Sequence, residues 1–296
     1  MFSSFYNIAG VRVRLDSEDE ITDEVALFFA APPTDEHDFS IRENRYGKLG
    51  IPGDYTMTYD QKGEVHFFTA PTGELIVQLG LRESSEQRDG RYQLRFNQEM
   101  SSVELYNSPY HSDQLISGLL GRFIYECHIM HRGWLPLHAV SVDTGDGALL
   151  FSGTSGSGKT TQADLWMKHA GARFINGDRA LLIPSNGGFD TAGSPWNGAS
   201  GKYTNLRARV KAIVFIEQAA TNEIEKLDSL DAFGRLVDLC VTPYYHSGLL
   251  CTVMDTIDSL ISQVPMYHLK NKADEESFRI TKELIAVQET PLGNGF

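Results

Sequence analysis

The stretch Gly153-Thr154-Ser155-Gly156-Ser157-Gly158-Lys159-Thr160 fits the phosphate-binding pattern G-x-x-x-x-G-K-[ST] at every position. In such a loop, glycines let successive N–H groups curl around phosphate oxygens, the lysine reaches the β/γ-phosphates, and the terminal hydroxyl can ligate Mg²⁺. The pattern has this meaning only between a strand and a helix. Ala148-Leu149-Leu150-Phe151 is an apolar run suited to a buried strand, and Thr161 to His169 reads as the helix that the loop opens. The expected nucleotide contacts are therefore Gly153, Thr154, Ser155, Gly156, Ser157, Gly158, Lys159, Thr160 and Thr161, with ATP and Mg²⁺ as the implied ligands.

The 296 residues suffice for two domains, and 41% hydrophobic with 22% charged residues is the make-up of an ordinary globular chain. A net charge of −13 argues against a nucleic-acid partner, which calls for a basic face. No apolar run approaches the roughly 18 residues that span a bilayer, so no membrane partner is expected. Met1 to Asn7 lacks the basic start and apolar core of a secretory signal. Cys127, Cys240 and Cys251 form no C-x-x-C pair and read as reduced thiols. Together these features predict a cytoplasmic protein, and they leave room for a homo-oligomer.

The first hundred residues alternate in steps of two. Val11/Val13/Leu15, Tyr55/Met57/Tyr59, Val65/Phe67, Leu75/Val77/Leu79, Tyr92/Leu94/Phe96 and Val103/Leu105 are separated by turn signals such as Asp60-Gln61-Lys62-Gly63 and Asp89-Gly90. This predicts a β-rich, antiparallel N-terminal domain over residues 1–108, ending near Asn107-Ser108-Pro109 and suited to recognising an acceptor. A helix from Leu115 to Cys127 follows, with Ser112 as its N-cap. Beyond it, strands at 137–142, 148–151, 172–176, 180–183, 210–216 and 265–269 mix with helices at 161–169, 230–240, 249–261 and 274–286. That pattern predicts an α/β nucleotide-binding domain over 109–296.

Phosphoryl transfer also needs a group that orients or deprotonates the acceptor. Asp178 follows the apolar strand 172–175, and a strand returning from the loop helix is expected beside the loop strand. Glu217, at the end of the 210–216 run, competes with it as a second carboxylate for the metal. Both also suit plain turn or strand-end acids. His138 interrupts the apolar strand 137–142. The glycine-rich stretch 193–202 around Trp196 reads as a mobile loop. With Lys202, Arg207, Arg209 and Lys211 nearby, it suits capture of an anionic acceptor or an ordinary surface loop.

Leu137-His138-Ala139, Leu149 to Gly153, the phosphate loop and Gly171 to Asp178 together resemble the HPr kinase/phosphorylase family and its relatives. Gly193-Ser194-Pro195-Trp196 is similar to a loop of those relatives. The resemblance implies an α/β phosphate-loop domain of HPr kinase type, transferring phosphate to a hydroxyl. It implies that Asp178 activates the acceptor and helps hold Mg²⁺ with Thr160, that His138 neighbours it, and that Lys159 serves the transferred group. The family's two successive aspartates are Gly177-Asp178 here, and the acid that follows the family's loop Ser/Thr is Thr161. The acceptor implied is a hydroxyl of a peptide, a protein or a small metabolite, with Trp196, Lys202 and Arg207 as its contacts. A nucleotide-binding regulatory or peptide-recognising accessory protein without phosphotransfer is the alternative.

Overall fold

A computed structural model describes residues 1–61, 65–79, 92–106, 112 and 114–287. By internal contacts the chain divides into two compact units. The first is Met1–Gly133 together with Thr242–Met254; the second is Trp134–Val241 together with the chain from Asp255 onward. The single cut expected at residue 108 falls at Asn107-Ser108-Pro109, outside the described residues. The same holds for Lys62-Gly63 and Asp89-Gly90.

The first unit is one eight-stranded sheet with helices. Its strands are β1 (Phe2–Ile8), β2 (Val11–Ser17), β3 (Phe39–Asn44), β4 (Thr56–Gln61), β5 (Val65–Thr69), β6 (Leu75–Leu79), β7 (Tyr92–Phe96) and β8 (Ser102–Tyr106), in the order β1-β2-β3-β8-β7-β6-β5-β4. Ala9 and Gly10 both have positive φ and close the β1–β2 hairpin. The period-two reading holds where a core backs the sheet: Val11, Val13 and Leu15 are buried, while Arg12 and Arg14 are half-exposed. Pairing is antiparallel except β2–β3 and β3–β8, which are parallel. β4 departs from the pattern, because it is an edge strand exposed on both faces.

The helix expected from Leu115 to Cys127 is broken in two, α2 (Gln114–Ser117) and α3 (Leu119–His131), after a short α1 (Glu24–Phe28) early in the chain. Gly118 is the N-cap of α3, and Gly121 lies so close to the Leu115 carbonyl that no side chain fits there. The Ser112 hydroxyl donates to Glu43 and accepts from Arg45, so it belongs to a buried polar cluster.

The second unit corrects the expected fold class. It contains β9 (Leu135–Asp143), β10 (Ala148–Ser152), α4 (Lys159–Ala170), β11 (Arg173–Asn176), β12 (Arg179–Ser185), β13 (Gly188–Ala192), β14 (Arg207–Gln218), β15 (Glu223–Lys226), α5 (Ser229–Leu239), β16 (Met266–Asn271) and α7 (Glu275–Val287). α6 (Ser247–Gln263) begins in the first unit and ends in this one. The strands run β10-β9-β12-β13-β14-β16-β15, and β10 also pairs with β14, which closes five strands into a barrel. This is not an α/β domain of HPr kinase type. Short turns at 144–147 and at Asn186-Gly187 make β9–β10 and β12–β13 hairpins, and a hairpin forces antiparallel pairing. Among the described residues of this unit, only β10–β14 and β14–β16 are parallel. Helices α4 and α7 bury Ala163, Trp166 and Phe278 against Val140, Val142, Leu149, Phe151, Val214 and Leu269.

Candidate functional site

The phosphate-loop motif lies where barrel strand β10 hands over to α4. Gly153, Gly156 and Gly158 have φ of 150°, 80° and 103°, a backbone that side chains rarely adopt. At Gly153 space is lacking as well, since a Cβ would lie 2.7 Å from the Ile216 carbonyl oxygen of β14. The side chain of Gln218 donates to the Gly156 carbonyl at 2.7 Å and ties the loop to the same strand.

Lys159 is buried, and its ammonium turns back to donate to the carbonyls of Gly153 and Thr154 at 2.9 Å each. Burial lowers its pKa, and the charge of Asp178 works in the opposite direction. The cation is thus parked at the mouth of the loop, beside the exposed Thr154, Ser155 and Gly156.

His138 and Asp178 reach this end of the barrel through β9, the neighbour of both β10 and β12. Ala139 stands opposite Ser152 of β10, and His138 stands opposite Arg179 of β12. The His138 carbonyl accepts the Ser152 hydroxyl at 2.9 Å, and the Ala139 N–H donates to the Asp178 carbonyl at 3.1 Å. These registers bring His138 Nδ1 within 3.1 Å of Asp178 Oδ1, with about a quarter of each side chain exposed (29% and 25%). The expected route was different. The strand after the loop helix, β11, pairs with β9 rather than with the loop strand, whose parallel neighbour is β14.

Asn176 holds the turn that carries Asp178. Its Oδ1 accepts the N–H groups of Asp178 and Arg179 at 3.0 and 2.8 Å, while its Nδ2 donates to Ser194 Oγ and the Trp196 carbonyl. Sequence reasoning gave Asn176 no role. The available signal was an Asn two residues before an acid at a strand end, the pattern of an Asx turn.

The stretch around Trp196 is seated on this turn and does not match a mobile loop. Trp196 and Asn197 are buried, a Cβ on Gly177 would lie 2.7 Å from the Asn197 carbonyl, and a Cβ on Gly198 would lie 2.8 Å from Asp178 Cβ. The loop therefore fills the place that a side chain at 177 would take, which leaves room for one carboxylate where HPr kinases have two. The basic residues beyond it are occupied. Arg207 and Arg209 both pair with Asp190, at 3.0 and 3.5 Å, and the Lys202 ammonium lies 5.6 Å from the Phe174 ring centroid. Trp196 is buried, whereas Arg207 and Lys202 engage Asp190 and Phe174. Glu217, at the end of β14, places a carboxylate oxygen 2.9 Å from His268 Nε2.

A cavity of about 490 Å³ opens along the loop. Gly153 to Ser157 line one side, the end of β14 from Phe215 to Gln218 a second, and Arg235, Asp238 and Leu239 of α5 a third.

The residues present fit a magnesium nucleotide. The loop offers backbone donors, a lysine, and a buried Ser157 hydroxyl that lacks a hydrogen-bond partner. Among the described residues no three His, Cys, Asp or Glu side chains gather to hold a metal. That does not exclude Mg²⁺, which commonly keeps its waters and takes one or two protein ligands plus phosphate oxygens.

Neither a scan against protein-family models nor a search of curated proteins finds a match.

Proposed function

We propose that the chain is a Mg²⁺- and ATP-dependent kinase that phosphorylates a hydroxyl on a peptide, a protein or a small metabolite. The observation that carries this reading is the 3.1 Å His138–Asp178 pair at the end of the barrel where Lys159 is turned toward the start of the phosphate loop. Phosphoryl transfer asks for positioning, charge neutralisation and one base, and these residues are suited to supply all three.

The loop N–H groups and Lys159 hold the triphosphate and offset charge that gathers on the leaving diphosphate. Thr160 and Asp178 would hold Mg²⁺, which would supply further charge neutralisation when bound. The Asp178 carboxylate accepts the hydroxyl proton of the acceptor. The freed oxygen forms a bond to the terminal phosphorus, and the bond from that phosphorus to the β,γ-bridging oxygen breaks, its electron pair leaving with ADP. His138 donates from Nδ1 to Asp178 and keeps the carboxylate aimed. Asn176 fixes the backbone beneath it.

The test is transfer of label from γ-labelled ATP into peptide and metabolite fractions of the source lysate. Asp178→Asn should lower transfer by about 10²-fold or more, the usual scale for loss of a general base, while metal-free nucleotide affinity changes far less. Lys159→Ala should abolish ATP-induced thermal stabilisation. Full transfer by the Asn variant would end the assignment of Asp178. Nucleotide binding without any transfer would favour a nucleotide-sensing accessory protein instead.

A further inference from the structure

Arg235 is half-buried in α5, and its guanidinium carbon lies 5.9 Å from the centroid of the Phe215 ring. Among the described residues it makes no ion pair. Its charge is therefore left to solvent and to whatever enters the cavity, and a guanidinium is well matched to a carboxylate or a phosphate. Asp238 lies three residues further along the same helix and lines the same cavity, yet it forms no salt bridge with Arg235.

The position of Arg235 narrows what it could meet. Phe215 stands opposite Ser152 in the parallel β10–β14 register, one residue before the loop begins. Gly153 and Thr154 wall the cavity that Arg235 of α5 lines and also accept the ammonium of Lys159 from α4. Lysine at this place in the motif serves the β/γ-phosphates, and a second cation in the cavity beside the same loop residues is suited to the outer phosphates.

We infer that Arg235 is a catalytic residue that binds the terminal phosphoryl group of a nucleoside triphosphate held in the phosphate loop. A planar guanidinium can take two oxygens of that group at once, which a second lysine could not. Its contact strengthens as charge spreads over the equatorial oxygens during transfer, so it serves turnover as well as binding. Glu217 and Asp238 line the same cavity. A nucleotide that arrives with Mg²⁺ brings a counter-charge to meet them.

The inference rests on the proposed nucleotide site, and the two separate cleanly by experiment. Binding of Mg·ATP and Mg·ADP is measured by calorimetry for the wild type, Arg235→Ala and Arg235→Lys, with the melting temperature of each ligand-free protein as a check on folding. Arg235→Ala should lose about ten- to a hundredfold in ATP affinity, the scale of one or two charge-assisted hydrogen bonds. Its ADP affinity should stay within about twofold of wild type. Arg235→Lys should fall between the two for ATP, which also covers the case in which the alanine variant unfolds. Equal losses for ATP and ADP, or no loss for either, would overturn the role of Arg235 while the nucleotide site stands. A wild-type protein that binds neither nucleotide would overturn both.

Discussion

A single buried imidazole shows how an isolated residue is decided by its surroundings. His128 is 3% exposed, stacks on Phe39 with centroids 4.5 Å apart, and uses Nδ1 to meet the Met100 carbonyl at 2.8 Å. Burial takes its pKa from 6.5 down to about 4; the Met100 carbonyl and Asp38 oppose that, and Arg132 and His131 add to it. Between those values the unfolded chain takes up a proton that the folded one refuses. Stability therefore falls as pH drops from 6.5 toward 4, by roughly 3 kcal/mol in all, and levels off below. Melting temperatures across that range check this. His128→Asn, which keeps a donor but cannot take up a proton, should show a flatter profile, and an identical profile would assign the pH dependence to other groups. Asp178 illustrates the same point. The residue was legible as a strand-end acid, but its partner His138 lies forty residues earlier and is delivered by strand register.

At the scale of elements, the Asp178 turn and the Trp196 stretch form one interlocked piece. Gly177 is required there for lack of space, since its φ is not in the left-handed region and a Cβ would meet Ser200 Oγ at 2.5 Å as well as the Asn197 carbonyl. Gly177→Ala should push the stretch off the turn and cost roughly 1–3 kcal/mol, the usual range for overpacking. Differential scanning calorimetry gives the stability change, and an Ala variant as stable as wild type would mean the two segments are not locked. Because Asp178 is carried by this turn, the proposed phosphotransfer should fall in the same variant even where the protein remains folded. Period-two and helical spacing made most of these elements readable beforehand. The break between α2 and α3 was not, because it depends on the close approach of Leu115 to Gly121, a contact that spacing does not encode.

For the whole molecule, chain order and compact units do not coincide. The segment Thr242–Met254 belongs with the first unit, where the Tyr245 ring stacks on Phe67 at 4.2 Å, its hydroxyl meets Cys127 Sγ at 3.4 Å, and its carbonyl accepts the Thr58 hydroxyl. Cys127 and Cys240 are buried and Cys251 is exposed, and burial raises the Cys127 thiol to about 12. A native thiol titration should therefore count one reactive cysteine per chain, Cys251, with the other two appearing only on unfolding. Tyr245→Ala removes the ring that covers Cys127 and should bring a second thiol into reaction while lowering the melting temperature. If the count stays at one, the segment is not what shields the first unit. No helix among the described residues is long and apolar enough to cross a membrane.

Local chemistry was enough to read the strand–loop–helix unit around residues 153–160, because its glycines and flanking apolar residues act within a short stretch of chain. It was enough for most strands too, since one buried face writes a period of two into the sequence. The closure of the barrel was a different matter. It depends on β10 pairing with β14 some sixty residues later, and on two hairpins whose turns impose antiparallel neighbours on what read as an alternating α/β run. The meeting of His138 with Asp178, the shielding of Cys127 by Tyr245, and the placing of Arg235 against the loop all come from pairing and packing between distant segments. Such contacts are set by register and by the space that other segments leave, and the residues involved carry no mark of either in their own neighbourhoods.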